Sequence, residues 1–290
     1  MASIKLRKQL ADNLKAQYQR GRGTSKHADK ARYGAPKADK IYSRTTLQTY
    51  KRECSRFTSW CYDRDIRDLI GAREAAPDYL RELIDRGLSA SSVHTAAFAM
   101  AKGLGCKVRD FDVDLPIRHR ADYTRSRERV ERDINFNERK HGNFVEFCRS
   151  TGLRRDELRQ LEGRDIRQRG EDVFIHVRHG KGGREREVQV YSTPEVKREI
   201  VEHARSIGPH DRYFDSINTN ADIHHYRADF AARVYHEHAR PLENLSREEK
   251  YYCRGDRKGE VFDREAMRIA SEQLGHSRID VIAQSYLYTA

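Results

Sequence analysis

Six residues of this chain have the side-chain types needed to break and remake a phosphodiester. They are Arg154 in TGLRRDEL, Lys181 in HGKGG, His224 and Arg227 in HHYR, His276 in LGHS and Tyr286 in QSYLY. A phosphodiester must be attacked by a good nucleophile while charge builds on its non-bridging oxygens and the leaving oxygen takes a proton. A guanidinium binds two phosphate oxygens through its planar fork and stays charged, and two of them grip a phosphate from two sides. A lysine or histidine protonates the leaving alkoxide. A tyrosine forms a phosphotyrosyl bond that saves the bond energy for rejoining. This recipe needs no metal and no cofactor, and no acidic metal cluster stands out in the sequence.

Composition points the same way. The 290 residues carry 57 Lys and Arg against 45 Asp and Glu, a formal charge of +12, and a pI near 9.5. Such a balance suits a polyanionic partner, most simply nucleic acid. No apolar run is long enough to span a bilayer and no signal peptide is present, so a cytoplasmic protein is expected. The five cysteines are scattered without CxxC spacing, which indicates neither a disulfide framework nor a zinc site. His236 and His238 near Cys253 lack a fourth ligand.

The flanking sequence must supply elements that place the six residues. Residues 1–43 hold eleven Lys and Arg against three acids and few large apolar side chains, and read as a basic arm with at most one helix near 4–19. Over 44–115 the spacing is helical. Leu47, Tyr50, Phe57, Trp60 and Cys61 share a face behind a cap at Ser43 or Thr45. A second helix follows Pro77, with Tyr79, Leu80, Leu83 and Ile84 inward, and stops at Gly87. A third, capped by Ser89 or Ser91, turns Val93, Ala96, Ala97, Met100 and Leu104 inward. The aromatics of this small all-α domain are expected in its core. Residues 116–134 contain six arginines, read as a basic linker, and offer Arg118, Arg120, Arg125 and Arg127 to a phosphate backbone.

A second domain is expected over 135–290. Phe136, Phe144, Val145 and Phe147 lead into TGLRRDELRQL, where Thr151 or Asp156 can cap and Leu158 and Leu161 face inward. The period then changes to two. Val173, Ile175 and Val177 share one strand face and Val188 and Val190 another, so Lys181 rides on the hairpin turn between them. Ile223, Tyr226, Phe230 and Val234 form a helical stripe, with His224 and Arg227 three apart on a neighbouring face. His225 lacks that spacing. The polar stretch 240–258 reads as an inserted loop or excursion. Met267, Ile269, Ala270 and Leu274 then make a helix that ends at Gly275 and delivers His276.

In motif content and motif order the chain resembles the tyrosine recombinase (phage-type integrase) family, whose pattern is Arg, Lys, His-x-x-Arg, His or Trp, Tyr. The resemblance is strong over roughly residues 135–290 and weak over 44–105. The ten-residue step from His276 to Tyr286 fits the family, which favours Tyr286 over Tyr288. The resemblance implies a mainly α fold: an all-helical N-terminal DNA-clamping domain and a catalytic domain of helices with a small antiparallel sheet. It implies a site-specific recombinase that works on double-stranded DNA through a 3′-phosphotyrosyl intermediate, without metal or ATP. In it Arg154 and Arg227 clamp the phosphate and Lys181 is the general acid. His224 and His276 bond the phosphate or move the nucleophile's proton, Glu157 orients Arg154 or a histidine, and Tyr286 attacks. Four protomers on two DNA sites are implied, with room for accessory DNA-bending proteins. Only Leu287–Ala290 follow Tyr286, whereas many relatives carry a C-terminal segment that docks on a neighbour; either that mode of assembly is in doubt or the natural chain is longer. Two other readings share the scaffold: a type IB topoisomerase-like enzyme, and a catalytically silent DNA-binding protein. The filled catalytic positions argue against the second.

Overall fold

A computed structural model describes residues 2–35, 37, 39–119, 135–180 and 185–287, apart from the side chains of 2–4, 27 and 256. Lys181, Arg120, Arg125, Arg127 and Tyr288 lie outside the described residues. The chain divides into two compact units, Met1–Asp122 and Tyr123–Ala290.

The first unit is all helical: α1 (Ala2–Gly21), α2 (Lys26–Tyr33), α3 (Arg44–Tyr62), α4 (Leu69–Asp85) and α5 (Ala90–Leu104). Side-chain caps start α3, α4 and α5, those of α3 and α5 where the sequence suggests them. The hydroxyl of Ser43 accepts from Thr46 N at 3.1 Å and that of Ser89 from Ser92 N at 3.3 Å, while Asp68 accepts from Gly71 N at 2.8 Å. α4 therefore begins at Leu69, ahead of the expected start after Pro77, and Pro77 lies inside it. The proline sacrifices one backbone hydrogen bond; the burial of Ala72, Ala76, Tyr79, Leu80 and Leu83 on one face keeps the helix together across it. Phe57, Trp60 and Tyr79 pack ring on ring in the core, as expected.

The reading of residues 1–43 as a basic arm is corrected. Leu6, Leu10 and Leu14 of α1 are fully buried against α3 and α5. Asn13 Nδ2 and Gln17 Nε2 donate to the carbonyls of Gly103 and Lys102 at 2.8 and 2.7 Å. The basic residues occupy the outer face of the same helix. Charge count outweighed an apolar stripe at four-residue spacing, and the stripe is what the fold uses.

The second unit mixes helices with two small sheets. Its elements are α6 (Gly142–Thr151), α7 (Arg155–Gln160), β1 (Ile166–Arg169), β2 (Asp172–Val177), β3 (Arg186–Gln189), α8 (Pro194–Ser206), α9 (Ile223–His238), β4 (Lys250–Tyr252), β5 (Val261–Asp263), α10 (Arg264–Gln273) and α11 (Asp280–Ser285). β1, β2 and β3 pair antiparallel in that order, with Ile175 opposite Val188 and Val177 opposite Arg186. Val173, Ile175, Val177 and Val188 point into the core, the period-two pattern of a half-buried sheet. α8 was missed although Val196, Ile200, Val201 and Ala204 fall at helical spacing; Thr193 caps it and Pro194 opens it. The stretch 240–258 is more than a loop. It contributes β4 to an antiparallel pair with β5, and Arg240 closes its neck on the buried Asp263 at 2.8 Å. The core of this unit gathers Leu153, Leu158, Tyr226, Phe230, Met267, Leu274 and Ile282 around the segments that carry Arg154, His224, Arg227, His276 and Tyr286.

Candidate active site

The site begins where α6 stops. Gly152 adopts φ +57°, and a Cβ there would lie 2.3 Å from the Phe230 ring, so both the turn and the space require glycine. Its carbonyl accepts from Arg227 Nη1. Two residues on, Arg154 sits at the start of α7 and Glu157 folds back on it. The Glu157 carboxylate accepts from the Arg154 amide and from Arg154 Nη1, each at 2.8 Å. Among α-helix starts this reciprocal arrangement satisfies an orphan amide; here it also fixes the arginine fork.

Arg227 lies one turn into α9 and is 1% exposed. Its guanidinium spends its donors on the Gly152 carbonyl, on Leu274 O at 2.5 Å and on the phenolic oxygen of Tyr286, 3.2 Å from Nε. Arg154 Nη2 reaches the same Leu274 carbonyl at 3.2 Å. One backbone oxygen thus anchors both arginines. It is available because α10 ends there: Gly275 turns at φ +65° and His276 N bonds back to Ser271 O at 2.8 Å. The turn delivers His276, whose Nε2 lies 3.2 Å from Tyr286 Oη and 3.5 Å from Arg227 Nη2. Tyr286 caps the C-terminus of α11 and is buried. Arg227, His276 and Tyr286 therefore meet at one oxygen.

Charge in this cluster is unbalanced. Burial pushes the Glu157 carboxyl up, but the Arg186 fork and its charge, together with the amide and charge of Arg154, outweigh that and hold it at about 2. Glu157 is thus an ion shared by two arginines. Among the described residues no carboxylate pairs with Arg227: burial pushes its guanidinium down to about 10, with Tyr286 opposing the fall and nearby Arg154 adding to it. Three guanidiniums face one carboxylate. An anion held between Arg154 and Arg227 would relieve the excess, and a phosphate has the oxygens to do so. Among the described residues no group of three or more His, Cys, Asp or Glu side chains is placed to hold a metal ion.

The structure brings together Arg154, Glu157, Arg227, His276 and Tyr286. His224 is exposed on the first turn of α9, one turn before Arg227. Lys181 belongs to the residues not described, between β2 and β3. Arg118 is exposed at the end of the first unit. Sequence reasoning missed Arg186. From β3 it grips Glu157 with both Nη atoms at 2.9 Å and donates from Nε to Gln273 O at 3.2 Å, tying the hairpin strand to α7 and α10. The signal was faint: one arginine in a strand, 29 residues from its carboxylate. Missed too is a groove of about 1000 Å³ in the first unit, lined by Arg52, Arg56, Arg86, Ser92 and Thr95.

No protein-family model matches the chain, and no curated protein matches it. Solved structures do. The XerH site-specific recombinase bound to difH substrate aligns in its pre-cleavage complex at TM-score 0.56 and 12% identity, covering 98% of this chain and 92% of that one. Its post-cleavage complex on palindromic difH aligns at TM-score 0.52 and 12% identity, covering 98% and 91%. At that identity the likeness is one of architecture, and it meets the expectation of a mainly α protein with a small antiparallel sheet: the chain has the tyrosine recombinase fold.

Proposed function

We propose that this chain is a site-specific recombinase that cuts and rejoins double-stranded DNA through Tyr286, without metal or ATP. The observation that carries the reading is the phenolic oxygen of Tyr286 held 3.2 Å from both Arg227 Nε and His276 Nε2. A phenol in contact with a proton acceptor and a buried cation is a nucleophile in waiting. When duplex DNA enters, a non-bridging phosphate oxygen takes over the Arg227 Nε–H, Arg154 binds from the other side, and His276 keeps the tyrosine. His276 accepts the phenolic proton as the oxygen attacks phosphorus. The bond to the 5′-oxygen breaks, Lys181 gives that oxygen a proton, and the 3′-phosphate stays on Tyr286. His224 adds a hydrogen bond to the phosphate. Rejoining reverses the step, with an incoming 5′-hydroxyl displacing the tyrosine. The phosphorane-like transition state carries one more negative charge than the diester, and the uncompensated guanidiniums stabilise it more than the ground state.

Arg118, Arg120, Arg125 and Arg127 follow the DNA backbone, and Arg52, Arg56 and Arg86 in the groove of the first unit add phosphate contacts. Four protomers on two sites complete the exchange, with accessory DNA-bending proteins where the site demands them. The test is covalent trapping. Nicked duplexes with a randomised core are incubated with the protein without metal or ATP, and a detergent-resistant protein–DNA band is sought. The band is expected for the wild type and Tyr288→Phe and absent for Tyr286→Phe. A band lost only in Tyr288→Phe moves the nucleophile by two residues; binding with no band in any protein supports a silent DNA-binding protein.

A further inference from the structure

The excursion between α9 and α10 ends against the helix that presents Tyr286. Its neck is pinned by Arg240 on Asp263, and Cys253 and Phe262 are buried in the core of the second unit. The segment between β4 and β5 then places Arg257. Nε of Arg257 donates to Glu260 Oε1 at 2.7 Å and Nη2 to Glu260 Oε2, and the guanidinium lies 5.2 Å over the Phe262 ring. So oriented, Nη1 donates to the carbonyl of Ala283.

Ala283 is in the last turn of α11, three residues before Tyr286. α11 has six residues, too few to be stable by propensity alone. The last four carbonyls of any helix lack an amide partner within the helix, and its C-terminus favours a cation. The amides of Tyr286 and Leu287 both bond to Ile282 O, at 2.9 and 3.1 Å, so the placement of the phenol depends on that last turn holding its shape. We propose that Arg257 is a positioning residue for the nucleophile: the excursion caps the C-terminus of α11 with a guanidinium and so fixes where Tyr286 Oη meets Arg227 and His276. The inference rests on the reading of Tyr286 as the nucleophile. It gives the 240–258 stretch a function inside its own chain.

The test uses the full chain, with hydrogen exchange on the free protein and adduct formation on the nicked duplex. In Arg257→Gln the amides of Tyr286 and Leu287 are expected to exchange faster while those of α9 and α10 keep wild-type rates. Adduct formation is expected to slow about tenfold to a hundredfold at unchanged DNA affinity. Arg257→Lys keeps a charged donor at the helix end and should recover part of that rate, which loss of fold would not allow. Glu260→Gln, which loosens the fork without removing it, should show a smaller change in the same sense. Wild-type exchange at Tyr286 and Leu287 in Arg257→Gln overturns the inference, as does a wild-type adduct rate in that variant. If the wild type itself forms no adduct, the reading of Tyr286 fails, and the exchange rates alone decide whether Arg257 holds α11.

Discussion

Two buried charges in the second unit are treated in opposite ways. Asp263 is fully buried and matched. It accepts from Arg240 Nε at 2.8 Å, Arg240 Nη2 at 2.9 Å, the Arg240 amide at 3.1 Å and the Glu265 amide at 2.9 Å. The Arg240 hydrogen bonds, working against burial, hold its carboxyl at about 2. Arg227 is as buried but unmatched. Its donors go to two neutral carbonyls, a tyrosine and a histidine, and among the described residues no carboxylate pairs with it. Glu157, whose charge acts on Arg227, is shared by Arg154 and Arg186. A buried carboxylate matched by an arginine at the surface holds a chain in place. An unmatched buried cation costs free energy in the free protein, and that cost is recovered when an anion arrives.

Substitutions should separate the two. The largest effect is expected from Arg227→Ala, which should lower the single-turnover cleavage rate about 10²–10³-fold on DNA. Arg240→Ala should do the reverse. It leaves Asp263 buried without its partner and should lower the midpoint of chemical unfolding, with a smaller loss of cleavage rate than Arg227→Ala. If both variants lose stability and rate in the same proportion, the contrast is wrong.

Glu157 offers a sharper test through pH. Its folded value of about 2 lies below the ordinary 4.5, so its ion pairs contribute stability above pH 4.5 and lose it as pH falls toward 2. The stability difference between wild type and Glu157→Gln should therefore be widest near neutrality and narrow across that window. A difference independent of pH would remove the charge from the account.

Gly152→Ala tests the frame that holds Arg227. A Cβ against Phe230 in a left-handed turn should cost about 2 kcal/mol, read as a lower unfolding midpoint. The smallest effect is expected at Arg118. Arg118→Ala should weaken DNA binding and lower the slope of log affinity against log salt by about one.

The sequence made one part of this contrast visible and hid the other. His224-x-x-Arg227, the Leu-Gly-His turn and Tyr286 are side-chain patterns at short spacing, so they could be named from the sequence and its family resemblance. Leu158, Val173, Ile175, Tyr226 and Phe230 announced their faces by period, and they are buried. What joins the site is of another kind. The Leu274 carbonyl that anchors both arginines is backbone, and any residue type would supply it. Arg186 and Arg257 meet Glu157 and Ala283 only because the chain folds back on itself. In the first unit Leu6, Leu10 and Leu14 were legible as a stripe, but eleven basic residues masked it, and Pro77 looked like a start because its cost is local while the helix's support is not.

The claim that Arg227 is kept unmatched for a phosphate has a direct measurement. Strand cleavage by wild type and Arg227→Ala is timed on a trapped target sequence, once with the natural phosphodiester at the cut and once with an uncharged methylphosphonate there. The account predicts a loss of about 10²–10³-fold for Arg227→Ala on the charged diester and a much smaller loss on the neutral one. An equal loss on both substrates would mean that Arg227 serves the fold and not the charge of the phosphate.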